Sequence, residues 1–287
     1  MARRSFALHG LMAAALLGAA PALASDPPPA KPLRIVSLDL CADQLLIELV
    51  ERNRIAAVTF MAADPAVSAI PQKARGLAVT RGAAEDVLRI DPDLVLAGPF
   101  GVSATVDLLR RLGKRVVVVP QPQDLGGVAD AVRSVARAVG EAARGEALVA
   151  DFERRLAGVA PRSAFRPTAV IYQVGGSVSG PGSFANSALA AAGFRNLAAD
   201  YRLSRGGQVP LESLLAQPPD LLVLASEANE YRTALADNLR HPVIGLLRRR
   251  GASIELPWRL WLCGTPHVIE ALERLGAARG RLEARAR

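Results

Sequence analysis

Two glutamates occupy matching positions in a segment that the chain contains twice. The segment reads EDVLRIDPDLVL from Glu85 and ESLLAQPPDLLV from Glu212, and its matched residues lie 127 positions apart. Each copy has the pattern of a helix, a Pro-Asp turn and a buried strand. A carboxylate in the first turn of a helix is stabilised by the helix dipole, by about 0.3–1 kcal/mol. Two roles are therefore open: each glutamate stabilises its own helix, or the pair presents the same charge at two places.

Other residues with catalytic or metal-binding side chains do not form a recognisable site. The sequence has no dinucleotide-binding pattern GxGxxG after its first strand and no phosphate-binding pattern GxxxxGK[ST]. His241 and His267 are the only histidines beyond the first 24 residues, and neither has a partner at metal-ligand spacing. We therefore predict a binding protein rather than an enzyme, with no metal or other cofactor.

Two alternatives to this prediction remain open. One is an exported α/β enzyme, a hydrolase or a chelatase-like protein, that uses Asp39, Asp43 or His267. The other is a receptor for a small oxyanion or a bare metal ion, although the low number of histidines argues against a transition metal. Nucleic-acid binding is not predicted, because the arginines behind the net charge of +8 are scattered and no basic helix contains interleaved aromatic residues.

The first 24 residues have the features of an export signal. MARRSFALHGLMAAALLGAAPALA begins with basic residues, continues with an apolar stretch and ends with Ala-Leu-Ala. We predict cleavage after Ala24, a disordered lead-in over residues 25–32 and a soluble periplasmic protein. RRSF is similar to a twin-arginine signal, so Sec and twin-arginine export both remain open. No later apolar segment is long enough to span a membrane.

The rest of the chain alternates short apolar runs with segments of helical spacing. LRIVSL, IAAVTF, LVLAG and RVVVVP predict buried strands before the middle of the chain, and TAVIYQV and DLLVLA predict strands after it. A second repeat, LLRRLGKRVVVVP from Leu108 and LLRRRGASIELP from Leu246, flanks the helical middle in the same order. The α/β pattern thus predicts two similar lobes, 33–140 and 161–287, on either side of a linking helix at 141–160. Ligands bind beyond the carboxyl ends of strands in such sheets, so a cleft between the lobes is expected.

Five segments, taken in order, resemble the periplasmic binding proteins for vitamin B12 and iron-siderophores, which are soluble receptors of ABC importers. They are RIVSLDLCADQLLIEL, EDVLRIDPDLVLAGPFG, LLRRLGKRVVVVP, YQVGGSVSGPGSFANSALAAAGFRNLAAD and VPLESLLAQPPDLLVLA. The resemblance covers about residues 33 to 276. It implies two Rossmann-like lobes joined by one long backbone helix, about Glu141–Val159, and little closure on ligand binding. It also implies a monomer that carries a metal chelate (an iron-siderophore, a corrinoid or haem) to a permease dimer at the inner membrane.

The resemblance further implies roles for individual residues. Glu85 and Glu212 match the glutamates that dock onto permease arginines, one lobe to each permease subunit. Aromatic and methionine side chains give flat apolar contacts that suit a corrin, a porphyrin or a catecholate, and an arginine pairs with an anionic group. The ligand contacts expected in the loops at strand ends are Cys41, Phe60, Met61, Phe100, Tyr172, Ser177, Tyr201, Arg205, Trp258, Arg259 and Trp261.

The two cysteines of the chain are Cys41 and Cys263. Both lie in loops expected to face the cleft, on opposite lobes. An even number of cysteines in an oxidising compartment favours a disulfide. They could instead hold a metal centre as thiolates or remain separate, and the sequence leaves these three states open.

Overall fold

The computed structural model describes residues 31–225 and 238–287, whose strands form two separate β-sheets. The predicted export signal and most of the predicted lead-in lie outside these residues. The mixed α/β architecture with two lobes agrees with the sequence prediction. Among the described residues, no helix combines the length and the apolar character needed to cross a membrane.

The first sheet is entirely parallel, with the strand order β3-β2-β1-β4-β5. Parallel neighbours need a crossover connection, and a helix follows each of the first four strands accordingly. The strands are β1 Ile35–Ser37, β2 Ile55–Thr59, β3 Val79–Thr80, β4 Leu94–Ala97 and β5 Val116–Val118. The helices are α1 Leu40–Leu49, α2 Pro71–Ala74, α3 Ala84–Ile90 and α4 Ser103–Arg111.

A pair of packed helices, α5 Gly126–Val139 and α6 Ala142–Val159, connects the two sheets. Val149 of α6 belongs to the core of the first lobe, whereas Phe152, one turn later, belongs to the core of the second. With 18 residues, α6 is about 27 Å long. It lies where the linking helix was predicted. The exact lobe limits stay predictions, because α5 contributes side chains to both cores.

The second sheet is mixed, with the order β11-β10-β6-β7-β9 and β8 paired beside β6. Strands β7 and β9 are joined to it by antiparallel pairing, whereas β8, β10 and β11 pair in parallel. The strands are β6 Thr168–Tyr172, β7 Ser177–Ser179, β8 Arg195–Asn196, β9 Gly206–Gln208, β10 Leu221–Ala225 and β11 Ala252–Leu256. The helices are α7 Phe184–Ala191, α8 Leu211–Ala216, α9 Pro242–Arg250 and α10 Val268–Ala286.

The central strands of both sheets are buried on their two faces. Along β1, Ile35 packs into one hydrophobic cluster and Val36 into another, on the opposite face. Along β6 the same alternation places Val170 in one cluster and Ile171 in another. This is why these strands are continuously apolar in sequence. RVVVVP behaves differently from its prediction as a buried strand: β5 is an edge strand, and Val118 is exposed.

The repeated Pro-Asp-Leu motif has the same structural role in each lobe. The carboxylate of Asp93, just before β4, accepts hydrogen bonds from the backbone N–H groups of Leu33 and Arg34 at 2.8 and 2.9 Å. The carboxylate of Asp220, just before β10, accepts one from the N–H of Thr168 at 2.7 Å. In both lobes the aspartate therefore holds the start of the neighbouring strand in register, which accounts for its recurrence.

Candidate functional site

The carboxyl edges of the two sheets meet at a disulfide. Cys41 lies in the first turn of α1, directly after β1, and Cys263 lies in the loop that follows β11. The two cysteines are bonded, with their Cα atoms 5.0 Å apart and a sequence separation of 222. Of the three states that the sequence left open, the structure has the disulfide. It joins the lobes covalently at the edge where ligands bind in open α/β sheets.

Buried hydrogen bonds surround this disulfide. Gln44, one turn further along α1, donates from Nε2 to the Sγ of Cys263 at 3.4 Å. Its Oε1 accepts from the hydroxyl of Thr265 at 3.3 Å. Gln44, Cys263 and Thr265 are all buried. The carboxyl edges are thus sealed against solvent next to the disulfide.

An ionic group on α1 makes a further link between the lobes. The carboxylate of Glu48 binds the Nζ of Lys73 at 2.7 Å and lies 3.5 Å from the Nε2 of His267, the residue that precedes α10. Burial lowers the pKa of His267, although the negative charge of Glu48 opposes this effect. His267 therefore has a structural position between the lobes, as expected for a histidine without metal-ligand partners.

The loops after β5 and before β9 are also in contact. Arg205 donates from Nη1 to the Oε1 of Gln123 at 2.6 Å. Arg205 was expected to bind ligand, and its guanidinium is exposed with this contact in place. Arg205 therefore lies where a loop of the second lobe contacts a loop of the first.

A buried aspartate fixes the start of the loop after β2. Asp43 of α1 accepts from the backbone N–H of Thr59 at 3.1 Å and from its hydroxyl at 2.5 Å. Burial raises the pKa of Asp43 to about 7, against the lowering effect of hydrogen bonds from Ser37 and Thr59. Thr59 directly precedes Phe60. The function of Asp43 visible in the structure is therefore to position the loop that carries Phe60 and Met61.

Two phenylalanines stand exposed on this edge of the first sheet. Phe60 follows β2 and is 58% exposed, and Phe100 follows β4 and is 74% exposed. Their strands flank β1 on either side, so both rings lie at the same carboxyl edge as Cys41. Met61 is half-buried beside Phe60. Large exposed apolar side chains at a sheet edge that binds ligands indicate a contact surface.

Two residues expected at the ligand take core positions instead. Tyr172 is 2% exposed and packs in the hydrophobic core beneath α8 and α9, because it lies in a central strand that is covered on both faces. Trp261 is 4% exposed and packs against the start of α10. The indole Nε1 of Trp261 is buried and has no hydrogen-bond partner among the described residues. Trp261 therefore presents no face to a ligand, whereas Tyr172, although buried in the core, borders a cavity at the carboxyl edge of the second sheet.

The remaining predicted contacts lie on the second lobe at intermediate exposure. Ser177 begins β7, beside the two glycines that turn the chain between β6 and β7. Tyr201 donates its hydroxyl to the carbonyl of Ser213 at 3.3 Å, which ties it to α8. Trp258 and Arg259 form one helical turn after β11 and are half-buried. None of these positions is excluded from the cleft by burial.

A cavity of about 630 Å³ opens at the carboxyl edge of the second sheet. Its lining includes Tyr172, Gln208, Glu212, Asn238 and His241. His241 caps α9 by accepting from the N–H of Val243 at 3.3 Å. Among the described residues, no three His, Cys, Asp or Glu side chains are grouped so that they could hold a metal ion.

Glu85 and Glu212 are placed alike in the two lobes. Glu85 lies in the first turn of α3, before β4, and Glu212 lies in the first turn of α8, before β10. A helix that leads into a parallel strand runs antiparallel to it, so its first turn lies near the carboxyl edge of the sheet. Both side chains are exposed, and neither takes part in a hydrogen bond or an ion pair among the described residues.

The sequence matches a protein-family model described as "Periplasmic binding protein" over residues 35–247. This chain is a member of the periplasmic binding protein family. A curated cobalamin-binding protein from Halobacterium salinarum is 29% identical over 204 residues, which are 69% of this chain and 55% of that protein. The chain therefore spans about half the length of the curated relative that it matches.

Solved structures of the family have the same fold. The apo form of the periplasmic heme-binding protein RhuT from Roseiflexus sp. RS-1 has a TM-score of 0.73 and 26% identity, covering 87% of this chain and 98% of that one. The vitamin B12-binding protein BtuF of Vibrio cholerae has a TM-score of 0.68 and 19% identity, covering 88% and 98%. Family and fold are those of solute-binding proteins, not of enzymes.

The polar junction around Gln44 is a functional feature that sequence reasoning missed. Gln44 and Thr265 are 221 residues apart, and no local pattern connects them. The turn between β6 and β7 did have a local signal. Consecutive glycines between apolar runs, here Gly175 and Gly176 with φ of 72° and 76°, are typical of a hairpin and could have predicted the antiparallel strand.

Removing the disulfide should destabilise the protein. Changing Cys41→Ser together with Cys263→Ser should lower the free energy of unfolding by about 2–4 kcal/mol, because the bond closes a long loop of the unfolded chain. Denaturant unfolding measures this loss. Reductant should lower the melting temperature of the wild type and leave the double variant unchanged, which controls for other effects of the reductant. Equal stability of the two proteins would contradict the prediction.

Asp43 should make stability fall as pH rises. Its folded-state pKa of about 7 exceeds the ordinary value of 3.8, so the folded state holds a proton that the unfolded state releases. The stabilising contribution is fully present below the ordinary value and is lost as pH rises through about 7. In Asp43→Asn, the melting temperature relative to wild type should therefore increase between about pH 5 and about pH 8. Parallel curves for the two proteins over this range would show that Asp43 has an ordinary pKa.

Proposed function

We propose that this protein binds a metal chelate between its lobes and delivers it to the permease of an ABC importer. The observation that carries the proposal is the pairing of exposed Phe60 and Phe100 at the edge where the two lobes meet. Family membership supports a location in the periplasm and a role in solute capture. The apolar rings suit the flat face of a macrocycle, and Arg205 and Arg259 suit its anionic substituents.

Among chelates, a corrinoid is the ligand that the observations favour. The Halobacterium relative is a cobalamin-binding protein. Haem, the ligand named for RhuT, is the second candidate. Haem iron usually takes a His, Cys, Met or Tyr side chain as axial ligand. In the described residues both cysteines are bonded to each other and His267 is held against Glu48, which leaves Met61, Tyr172 and His241 as side chains at the carboxyl edges that could serve haem iron. A corrinoid carries its cobalt already coordinated and needs no such side chain.

The placement of Glu85 and Glu212 supports a docking role. A two-lobed receptor that meets a two-fold permease needs the same charge presented twice, and both carboxylates are exposed and unpaired among the described residues. The helix dipole also stabilises each of them, by about 0.3–1 kcal/mol, but this effect does not require the same position in both lobes. We assign each glutamate to one permease subunit, with the ligand held between them.

Ligand binding tests the first half of the proposal. Quenching of tryptophan fluorescence should titrate with cyanocobalamin more tightly than with haemin or a ferric siderophore. Phe60→Ala and Phe100→Ala should each weaken binding by about tenfold, because burying a phenylalanine contributes about 1.5–3 kcal/mol. Leu112→Ala is the matched control: Leu112 is also exposed, at 52%, but it follows α4 at the amino edge of the first sheet. If none of the three chelates binds, the assignment of the ligand class is wrong.

Uptake tests the docking role separately. The double change Glu85→Ala with Glu212→Ala should abolish uptake of labelled ligand by cells in which the variant gene is the only copy. Glu85→Ala alone should leave ligand affinity unchanged, because Glu85 lines no described cavity, and should still reduce uptake. The control pair is Asp107→Ala with Glu153→Ala, because these carboxylates are also exposed but do not match each other between the lobes. Uptake at the wild-type level by the Glu85 and Glu212 variant would exclude docking through these residues.

A further inference from the structure

A second cavity, of about 390 Å³, lies at the amino edge of the second sheet. Its walls are the last turn of α9, the start of β11 and the C-terminal half of α10. Because it adjoins the first residues of β10 and β11, it lies at the other end of these strands from the carboxyl edge. Four arginines line it, and the described lining includes no acidic residue; they are Arg248, Arg249, Arg281 and Arg285.

Most of this positive charge is not neutralised within the protein. Arg248 binds the carboxylate of Glu255 at 2.7 Å, outside the lining. Arg249, Arg281 and Arg285 make no hydrogen bond or ion pair with any described residue, and all three are exposed. Like charges around one concave surface repel each other unless an anion lies between them. The cavity therefore carries the concentration of positive charge that an anion-binding site needs.

Helix dipoles account for only part of this arrangement. Arginines in a last turn are stabilised by the negative end of the helix, which applies to Arg248 and Arg249 in α9 and to Arg285 in α10. Arg281 precedes the last turn of α10. The dipole also gives no reason for two helix ends to converge on one cavity. The sequence repeat supports the same conclusion. Arg110 and Arg111 lie in the last turn of α4, as Arg248 and Arg249 lie in the last turn of α9. Among the described residues, only beside α9 does a further helix, α10, contribute two more arginines.

We propose that this cavity binds an anion that carries two or more phosphate charges. The planar guanidinium group forms paired hydrogen bonds with phosphate oxygens, and arginine is favoured where such anions are recognised. The volume is many times the roughly 30 Å³ of a water molecule, so it has room for a diphosphate or for a phosphate ester with its substituent. The phosphate can belong to a soluble compound or to a lipid headgroup. The site is separate from the cleft and does not depend on the proposed ligand.

Two probes separate these sources. Sodium pyrophosphate, added at constant ionic strength, should raise the melting temperature of the wild type if a soluble anion is bound. Vesicles of phosphatidylcholine with phosphatidylglycerol should sediment the wild type, and phosphatidylcholine alone should not, if a headgroup is bound. The double change Arg249→Ala with Arg281→Ala should weaken whichever binding occurs by at least about tenfold, because hydrogen bonds between charged groups contribute about 1.5–3 kcal/mol each.

The control is Arg110→Ala with Arg111→Ala. It removes the same charge from another exposed helix end and should bind like the wild type. Both variants should melt at the wild-type temperature without anion, since the four side chains are exposed. The proposal is overturned if neither probe binds the wild type, if Arg249→Ala with Arg281→Ala binds normally, or if the control loses binding equally. The last result would mean that general basicity attracts the anion.

Discussion

The junction between Cys41, Cys263 and Gln44 is the constraint on which the rest of the molecule depends. It places a covalent bond and buried hydrogen bonds at the point where two sheet edges meet. The helix α6 joins the lobes behind, so the lobes are connected at two separate places. Two connections remove the hinge that a single linker would allow, and the separation of the lobes becomes a property of the folded protein.

A fixed separation of the lobes changes what the proposed ligand binding requires. A receptor that closes by rotation can adjust to its ligand, whereas a preorganised one must hold its contact groups in place before the ligand arrives. The buried carboxyl of Asp43 does this for the loop that begins at Phe60, and the contact between Arg205 and Gln123 does it on the other side. The conformational entropy of these loops is therefore lost when the protein folds and not when a ligand binds.

The fold could be predicted from sequence to a large extent because it is repeated. Two copies of a helix, a turn and an apolar strand indicated two sheets, and Asp93 and Asp220 show that each copy also repeats a hydrogen bond. The burial of individual side chains was harder to predict from the sequence. TAVIYQV could have placed Tyr172 in the core, because a strand buried on both faces exposes none of its residues. Trp261 lies in irregular backbone without a period, so only its packing on α10 decides its burial.

Some positions are equivalent in the two lobes and others differ, and the two kinds of position suit different partners. The proposed docking to a permease with two equivalent subunits requires equivalent contacts, and Glu85 and Glu212 lie at equivalent positions in the two lobes. A ligand without two-fold symmetry requires different walls, and here the lobes differ: exposed phenylalanines stand on the first, and arginines with an antiparallel hairpin on the second. The amino edges differ as well, because α10 brings arginines to one lobe only. Positions where a duplicated chain has stopped repeating are therefore the places to look for recognition of an asymmetric partner.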